Sequence, residues 1–596
     1  MSSYVAPVRD MQFVIENLAG RADIEALPES EEFSADLVDA VLSEGARLAQ
    51  EVLDPLNWSG DQQGASLGDD GVKPADGFGD AYRQFVEGGW NGLSSSTEFG
   101  GQGLPKLMAS AISEIVQSAN MSFSLCPMLT ASAVEALEIH GSDEQKSQYL
   151  EKLISGEWTG TMNLTEPQAG SDLSAVAMKA VPEGDHYRLF GQKIYITWGD
   201  HDMTDNIIHM VLARTPDAPE GVKGISLFIV PKFLLADDGS PGERNDVYCV
   251  SLEHKLGIHA SPTAVMAYGS DEGAIGYLVG EENKGLVYMF TMMNDARLAV
   301  GIQGMAIAER AYQRALAYAK DRVQGRPPGQ KGGERVAILY HPDVRRMLMN
   351  MKSHTEAMRA LCYVAAGALD VSRRHADEKV RASALARAEL LIPVVKGWCT
   401  ESGVEVTSLG VQVHGGMGFI EETGAAQHFR DARISTIYEG TTGIQSNDLV
   451  GRKLRMDKGA AMSELIDDMR ATLGHLKSSE NEDLQVIARH LSAAINTQKS
   501  ATDYILAILD QDMASALGAS VNYLMLTGYV TGGWQMARAA LAAAERIAAG
   551  DASEFFVTKI KTARFYAEHL LPRAAALGMT IEAGTETLMA LGEDQL

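Results

Sequence analysis

Residues 187–197 read Tyr-Arg-Leu-Phe-Gly-Gln-Lys-Ile-Tyr-Ile-Thr and follow the turn triplet Glu183-Gly184-Asp185. Short apolar stretches rich in Tyr, Phe, Ile and Thr, separated by turn residues, are the mark of strands rather than helices. Stretches of the same kind recur at 207–213, 225–230, 247–252 and 264–268. Six or so strands at this spacing predict a small β-sandwich or barrel within residues 159–282.

On both sides of this region the period becomes helical. Leu37, Val38, Val41, Leu42 and Ala46 fall on one stripe, and a loop rich in Gly and Asp over 60–79 interrupts the helical pattern. Beyond the strands, Val344, Met347, Leu348, Met351, Met358, Leu361, Cys362 and Ala365 make a broad stripe with Arg345, Arg346 and Glu356 off it. The methionines in it read as core packing, and Pro393 predicts a kink in a later helix. The last part is Ala-rich and helical, with Phe555, Phe556, Phe565 and Tyr566 as packing anchors, and reads as a separate bundle.

The expected fold is therefore mainly α with a central β-domain. Its parts are an N-terminal segment (1–33), a helical domain (34–158), a middle β-domain (159–282), a second helical domain (283–455) and a helical extension (456–596). A chain of 596 residues exceeds what one hydrophobic core supports, so several domains are expected.

Lys and Arg number 51 against 79 Asp and Glu, a net charge of -28, which works against non-specific binding to nucleic acid or anionic lipid. Cys126, Cys249, Cys362 and Cys399 are widely spaced without a CxxC pair. That pattern predicts reduced thiols in a cytoplasmic protein, with no disulfide and no cysteine-built zinc site. Residues 1–14 lack an apolar core of signal-peptide type, so no export is expected. The uncharged stretch 513–537 carries Ser515, Ser520, Asn522, Thr527, Thr531 and Gly532-Gly533; it predicts two buried helical pieces rather than a membrane span. HExxH, P-loop and GxGxxG motifs are absent from the sequence, which leaves metalloprotease, NTPase and nucleotide-fold dehydrogenase readings unsupported.

Two segments carry chemistry. Met162-Asn163-Leu164-Thr165-Glu166-Pro167-Gln168-Ala169-Gly170-Ser171-Asp172 combines small and hydroxyl residues that let backbone approach a flat or phosphorylated ligand, with Thr165 and Ser171 as rotatable donors. Composition alone fits a structural loop equally well. Ile437-Tyr438-Glu439-Gly440-Thr441-Thr442 follows the glycine turn His414-Gly415-Gly416-Met417-Gly418-Phe419 and the basic stretch Arg430-Asp431-Ala432-Arg433. It sets a carboxylate beside small residues that allow close approach to a substrate.

These segments resemble the acyl-CoA dehydrogenase family. The 162–172 stretch is similar to its first signature and 412–431 to its second; Lys193-Ile194-Tyr195-Ile196-Thr197 resembles its flavin-contact strand, and Tyr438-Glu439-Gly440-Thr441 its catalytic-base segment. The four motifs stand in the family order within about residues 35–455.

The resemblance implies FAD held by the sheet domain and the third segment. Met162, Leu164, Thr165, Gly170 and Ser171 would line one edge of the isoalloxazine, Tyr195 and Thr197 its other side, with Thr441 also at the flavin. Arg322, Gln412, Gly415 and Gly416 would reach the FAD of a neighbouring subunit, which implies a homo-oligomer, a dimer or dimer of dimers. Ser171, Arg297 and Gly440 would hold the CoA thioester. Glu439 would take the α-proton while the β-hydrogen leaves as hydride to flavin N5, giving a trans-2-enoyl-CoA. An electron-transfer flavoprotein would then accept the electrons.

The extension and the insertion 325–340 resemble a long bacterial subgroup. That likeness implies 3-(methylthio)propanoyl-CoA oxidised to 3-(methylthio)acryloyl-CoA in dimethylsulfoniopropionate catabolism, with short or medium straight-chain acyl-CoA as the alternative. Arg326, Lys331 and Arg335 of the insertion, read as a flexible loop, are candidates for the CoA phosphates. The sequence departs from the family pattern at Gln427 (usually basic), Gly443 (often Gln or Glu) and Asn163 (usually small or a thiol). Two other readings share the fold: an acyl-CoA oxidase, and a DNA-associated flavoprotein of alkylation response. The net charge of -28 and the lack of a basic cluster in the extension argue against the latter.

Overall fold

In the computed structural model, which describes residues 4–329, 332–551 and 553–596, the strands 206–213 and 226–231 are buried at every residue. Two faces must be covered for that to hold, and two cores do it. The chain divides into two compact units, Glu44–Ala299 and Met1–Ser43 with Val300–Leu596.

In the first unit, eight strands among the described residues form the main sheet: β1 (Trp158–Asn163), β2 (Lys179–Glu183), β3 (His186–Thr197), β4 (Asn206–Ala213), β5 (Ser226–Pro231), β6 (Val247–Leu252), β7 (Thr263–Tyr268) and β8 (Ala274–Leu278). Their order is β6-β7-β3-β8-β5-β4-β1, with β2 on β3. Only the β1–β4 pair is parallel. The long β3 pairs with β2 and β8 through residues 186–190, then with β7 through 191–197, and this change of partners curls the sheet.

Alternation along β4 and β5 sorts side chains between the cores. Ile208, Met210, Leu212, Leu227 and Ile229 join a core with residues of the helices α1 (Met121–His140) and α2 (Asp143–Ser155). Val211, Ala213, Phe228 and Val230 join Met178, Leu189, Ile196 and Met266 inside the curl. Burial on both faces explains why these strands read as apolar runs. It also explains why β1 was not expected: Trp158-Thr159-Gly160-Thr161 is buried without alternation. The Gly/Asp loop contains a hairpin, Ser66–Gly68 with Gly71–Lys73. Its Val72 N–H donates to Asp200 Oδ2 at 3.3 Å, a tertiary tie with no local signal.

Helix boundaries follow capping chemistry. Ser142 and Gln145 form a reciprocal capping box at the start of α2, and Gly156, left-handed at φ 81°, ends it.

The second unit is helical, built on α3 (Gly285–Asp321, which enters it at Val300), α4 (Pro342–Arg374), α5 (Glu378–His414), α6 (Ala460–Lys477), α7 (Glu482–Ile508), α8 (Ser520–Ala548), α9 (Glu554–His569) and α10 (Arg573–Glu582). Pro393 lies inside α5, which continues through it. The expected pair of helices in 513–537 is present as Met513–Gly518 and the start of α8. No helix among the described residues is long and apolar enough to cross a membrane.

The extension packs directly on the preceding domain. Trp398 of α5, fully buried, lies against Gly528 and Gly532 of α8: a Cβ on Gly528 would fall 2.1 Å from Trp398 Cγ. Arg573 of α10 pairs with Glu405 of α5 at 2.6 Å. Lys559 of α9 pairs with Glu356 of α4 at 2.9 Å and also with Asp10, which Arg359 holds at 2.6 Å. Burial opposes ionisation of Asp10, and the charges of Lys559 and Arg359 outweigh it, so its carboxyl is held well below the usual range.

Candidate active site

In the sheet unit, the loop after β1 is a tight turn. Pro167 occupies the second position of Glu166-Pro167-Gln168-Ala169, where its fixed φ is preformed, and Ala169 N–H donates to Glu166 O at 2.9 Å. Ile194 N–H donates to Thr165 O at 2.9 Å, which ties this loop to β3. Beneath it Lys193 Nζ donates to Leu164 O at 2.9 Å and to Glu166 Oε1 at 2.8 Å, with both side chains buried. Burial pushes the Lys193 ammonium down to about 8 against the pull of Glu166. Glu166 is held low: burial is outweighed by Lys193 and by the N–H groups of Ala177 and Met178.

The strand bulges next to this anchor. Ala264 faces Ile196 and Met266 faces Lys193, so Val265 opposes both Ile194 and Tyr195. Tyr195 takes up the extra residue at φ 61°, a region uncommon for a non-glycine residue. Tyr195 is 59% exposed. Leu164 and Thr165 of the loop, which follow Met162 on β1, are thus tied to Lys193 and Ile194 of β3, and Tyr195 and Thr197 continue that strand. Gly170 and Ser171 are exposed, and a Cβ on Gly170 would meet nothing within 4 Å. Arg297 is 3% exposed, with Nη1 at 3.5 Å from Asn294 Oδ1. It shares α3 with Met289, Met292 and Met293, which pack in the same core as Leu164.

Asn163 is buried and structural: Tyr268 OH donates to its Oδ1 at 2.8 Å, and its Nδ2 donates to Thr161 Oγ1 at 2.8 Å. The polar side chain here completes a network with His209, 2.7 Å from Thr161 Oγ1.

In the helical unit, His414 stacks on Tyr318 at 4.4 Å between ring centroids, bringing the ends of α5 and α3 side by side. Arg322, Gln412, Gly415 and Gly416 are all exposed at this end. Gly415 is left-handed at φ 62°, and neither glycine would meet another atom within 4 Å of an added Cβ. Phe419, 85% exposed, and Met417 and Ile420 adjoin them.

The base segment is held separately. Glu439 at φ 55° and Gly440 at φ 88° are successive left-handed residues. Thr441 caps the short helix Thr442–Asn447, accepting from Ile444 N–H at 3.2 Å. Thr442 Oγ1 donates to Glu401 Oε1 of α5 at 2.6 Å. Tyr438 donates to Gln303. Burial, with the Glu439 charge second, holds the Tyr438 phenol far above its usual range, so it stays a neutral donor. Gly443 leaves room for a side chain, with only Thr441 Oγ1 at 3.7 Å from an added Cβ.

In the sheet unit an exposed aromatic on a bulge suits a flat ring, and in the helical unit the open glycines at the end of α5 suit a phosphorylated group. Among the described residues, no group of three or more His, Cys, Asp or Glu is placed to hold a metal ion.

Comparison with known proteins matches these parts in order to family models: the acyl-CoA dehydrogenase N-terminal domain over 69–157, middle domain over 161–268 and C-terminal domain over 283–454. The chain belongs to the acyl-CoA dehydrogenase family. It is thereby an FAD-dependent oxidoreductase acting on acyl-CoA thioesters. A further model, acetyl-CoA dehydrogenase C-terminal like, matches 465–592. The dehydrogenase is 53% identical over 575 residues to the 3-methylmercaptopropionyl-CoA dehydrogenase of Ruegeria pomeroyi, covering 96% of this chain and 97% of that one. An acyl-CoA dehydrogenase from Bacillus anthracis, solved with FAD, shares the fold at a TM-score of 0.72 and 23% identity, covering 96% of this chain and 91% of its own. A chain from the solved electron transferring flavoprotein of Acidaminococcus fermentans matches with a TM-score of 0.57 and 27% identity over 70% of this chain and 98% of its own.

Several features of the dehydrogenase were not legible in its sequence. Gln427 reads as the loss of an expected surface or phosphate charge; the side chain is buried, with Nε2 at 3.4 Å from Asp431 Oδ2. The insertion is tied at its base, since Gln324 N–H donates to Val336 O at 3.0 Å and Val336 N–H to Gly325 O at 3.1 Å. Arg326 and Arg335 are exposed there, and Lys331 lies outside the described residues. The Lys193–Glu166 anchor and Gln445, which contacts the base segment, carried no assigned role. The visible signals were a lysine among apolar strand residues and a glutamine just inside a capped helix.

Proposed function

We propose that this dehydrogenase converts 3-(methylthio)propanoyl-CoA to trans-3-(methylthio)acryloyl-CoA, a step in dimethylsulfoniopropionate breakdown, with Glu439 as the base. The substrate rests on one observation, the 53% identity to the Ruegeria pomeroyi protein across nearly the full length of both chains. The assignment of Glu439 is supported by its left-handed turn, in which Gly440 and Thr441 add little bulk beside the carboxylate.

Met162, Leu164, Thr165, Gly170, Ser171, Tyr195, Thr197 and Thr441 would hold the flavin. When bound, FAD supplies the acceptor for the β-hydride. The Glu439 carboxylate takes the α-proton, and the electron pair of that C–H bond becomes the new carbon–carbon double bond. The Glu439 backbone N–H donates to the thioester oxygen as enolate character develops there. Ser171, Arg297 and Gly440 orient the thioester, and exclusion of water by bound substrate raises the basicity of Glu439. The neutral Tyr438 phenol does not compete for the proton.

Arg322, Gln412, Gly415 and Gly416 are proposed to bind the FAD of a second copy, a reading supported by their exposure beside Phe419, Met417 and Ile420. An electron-transfer flavoprotein is the proposed acceptor, supported by the likeness to a chain of such a structure. Cytoplasmic action belongs to the same reading, in keeping with four free cysteines.

Anaerobic titration of the purified protein with 3-(methylthio)propanoyl-, butyryl- and octanoyl-CoA tests the proposal. Flavin should bleach fastest with the methylthio compound. Faster bleaching by a straight-chain thioester would reassign the substrate, and a colourless protein that cannot be reconstituted would remove the mechanism.

A further inference from the structure

Gln445 follows Glu439 by six residues, is 0% exposed and lies on the short helix Thr442–Asn447. Its Nε2 donates to Glu439 O at 3.0 Å and to Gly440 O at 3.1 Å. A primary amide carries two N–H donors on one nitrogen, so a single side chain suits two successive carbonyls.

Those carbonyls belong to residues whose conformation needs holding. Glu439 at φ 55° is left-handed without being glycine, and such geometry persists where the surroundings over-determine it. Gly440 admits the amide: a Cβ there would lie 2.8 Å from Gln445 Nε2. The helix aims the side chain back at the turn, because Gln445 N–H donates to Thr441 O at 3.0 Å. The Oε1 of Gln445 is buried with no partner among the described residues. Its donors, rather than its acceptor, are therefore the reason for an amide at this position.

The helix is itself braced by the extension. Ser446 Oγ lies 2.9 Å from Ser520 Oγ at the start of α8, and Ser520 Oγ donates to Asn447 Oδ1 at 3.2 Å.

We propose that Gln445 is a positioning residue for α-proton abstraction: its amide fixes the two peptide planes after Glu439, and so the direction in which the carboxylate leaves the backbone. The inference rests on Glu439 being the base.

The test uses the full-length holoenzyme with Gln445→Met and Gln445→Glu. The Met variant should bind FAD and acyl-CoA with KM little changed, while the anaerobic rate of flavin bleaching per bound flavin falls by ~10²-fold, the cost of a small misplacement of reacting groups. In the Glu variant the introduced carboxyl donates one hydrogen bond when protonated and none when ionised. Its bleaching rate should therefore decline with rising pH where the wild-type rate holds or climbs. A purely structural role would lower flavin content and the unfolding midpoint without altering the rate per bound flavin or its pH profile.

A wild-type rate per bound flavin in the Met variant, or loss of flavin from both variants, would overturn the proposal. The two readings separate through Glu439→Gln. If that variant is inert while Gln445→Met is normal, the positioning role alone falls. If Glu439→Gln bleaches normally, the assignment of the base falls.

Discussion

Lys193 Nζ lies 2.8 Å from Glu166 Oε1 with both side chains buried, and the pair ties β3 to the loop that carries Thr165. Removing one partner of a buried pair leaves the other charge uncompensated, typically costing about 3–5 kcal/mol. Lys193→Met should therefore lower the urea midpoint and shed flavin. The double variant Lys193→Met/Glu166→Leu should regain part of the stability. Equal stability of Lys193→Met and wild type would show that the anchor contributes little.

Asp246 contributes to the pH dependence of the sheet unit. Its carboxylate accepts from the N–H groups of Ser270, Asp271, Glu272 and Gly273 at 2.9–3.1 Å. Burial opposes ionisation, and these four donors outweigh it, so the pKa is lowered. A depressed carboxylate contributes stability that is present above its unfolded pKa of about 3.9 and lost as pH falls through the folded value. Unfolding midpoints followed from neutral pH down into that range should show a shallower acid decline in Asp246→Asn than in wild type, together with lower stability at neutral pH.

The seating of Trp398 against Gly528 predicts that the extension unfolds with the domain it covers. Gly528→Ala would set a methyl 2.1 Å from Trp398 Cγ, and overpacking of this kind costs about 1–3 kcal/mol. Differential scanning calorimetry should show one helical-unit transition moved down, rather than an early separate melt of residues 456–596.

Pairing between copies is tested at Phe419, 85% exposed beside Gly415 and Gly416. Phe419→Asp should leave the circular dichroism unchanged, shift the sedimentation coefficient toward monomer and lower flavin occupancy. A monomeric wild type would remove the proposal that Arg322 and Gln412 serve a second copy's FAD.

The helix, sheet, helix order was legible because each core dictates a pattern: the buried Leu189 and Ile196 of β3 each adjoin an exposed residue, Phe190 and Tyr195, and the stripe through Met351 and Met358 faces a helical core. The bulge at Tyr195 was not. Tyrosine is a good strand former, and its left-handed backbone is set by how β7 pairs across residues 193–197, which no local pattern encodes. The base segment announced Glu439 through Gly440 and Thr441, but Gln445 was silent. Its role comes from two carbonyls that need donors and from a short helix that turns back on them. The docking of Trp398 likewise depends on glycines at 528 and 532, more than a hundred residues away, that read only as breaks in an Ala-rich helix.

The central claim is that the Glu439 carboxylate takes the α-proton. The most direct measurement is anaerobic mixing of the Glu439→Gln holoenzyme with 3-(methylthio)propanoyl-CoA while flavin absorbance is followed. The account expects the variant to bind FAD and perturb its spectrum on binding the thioester, yet fail to bleach it. Bleaching at the wild-type rate would contradict the account and send the search for the base elsewhere in the chain.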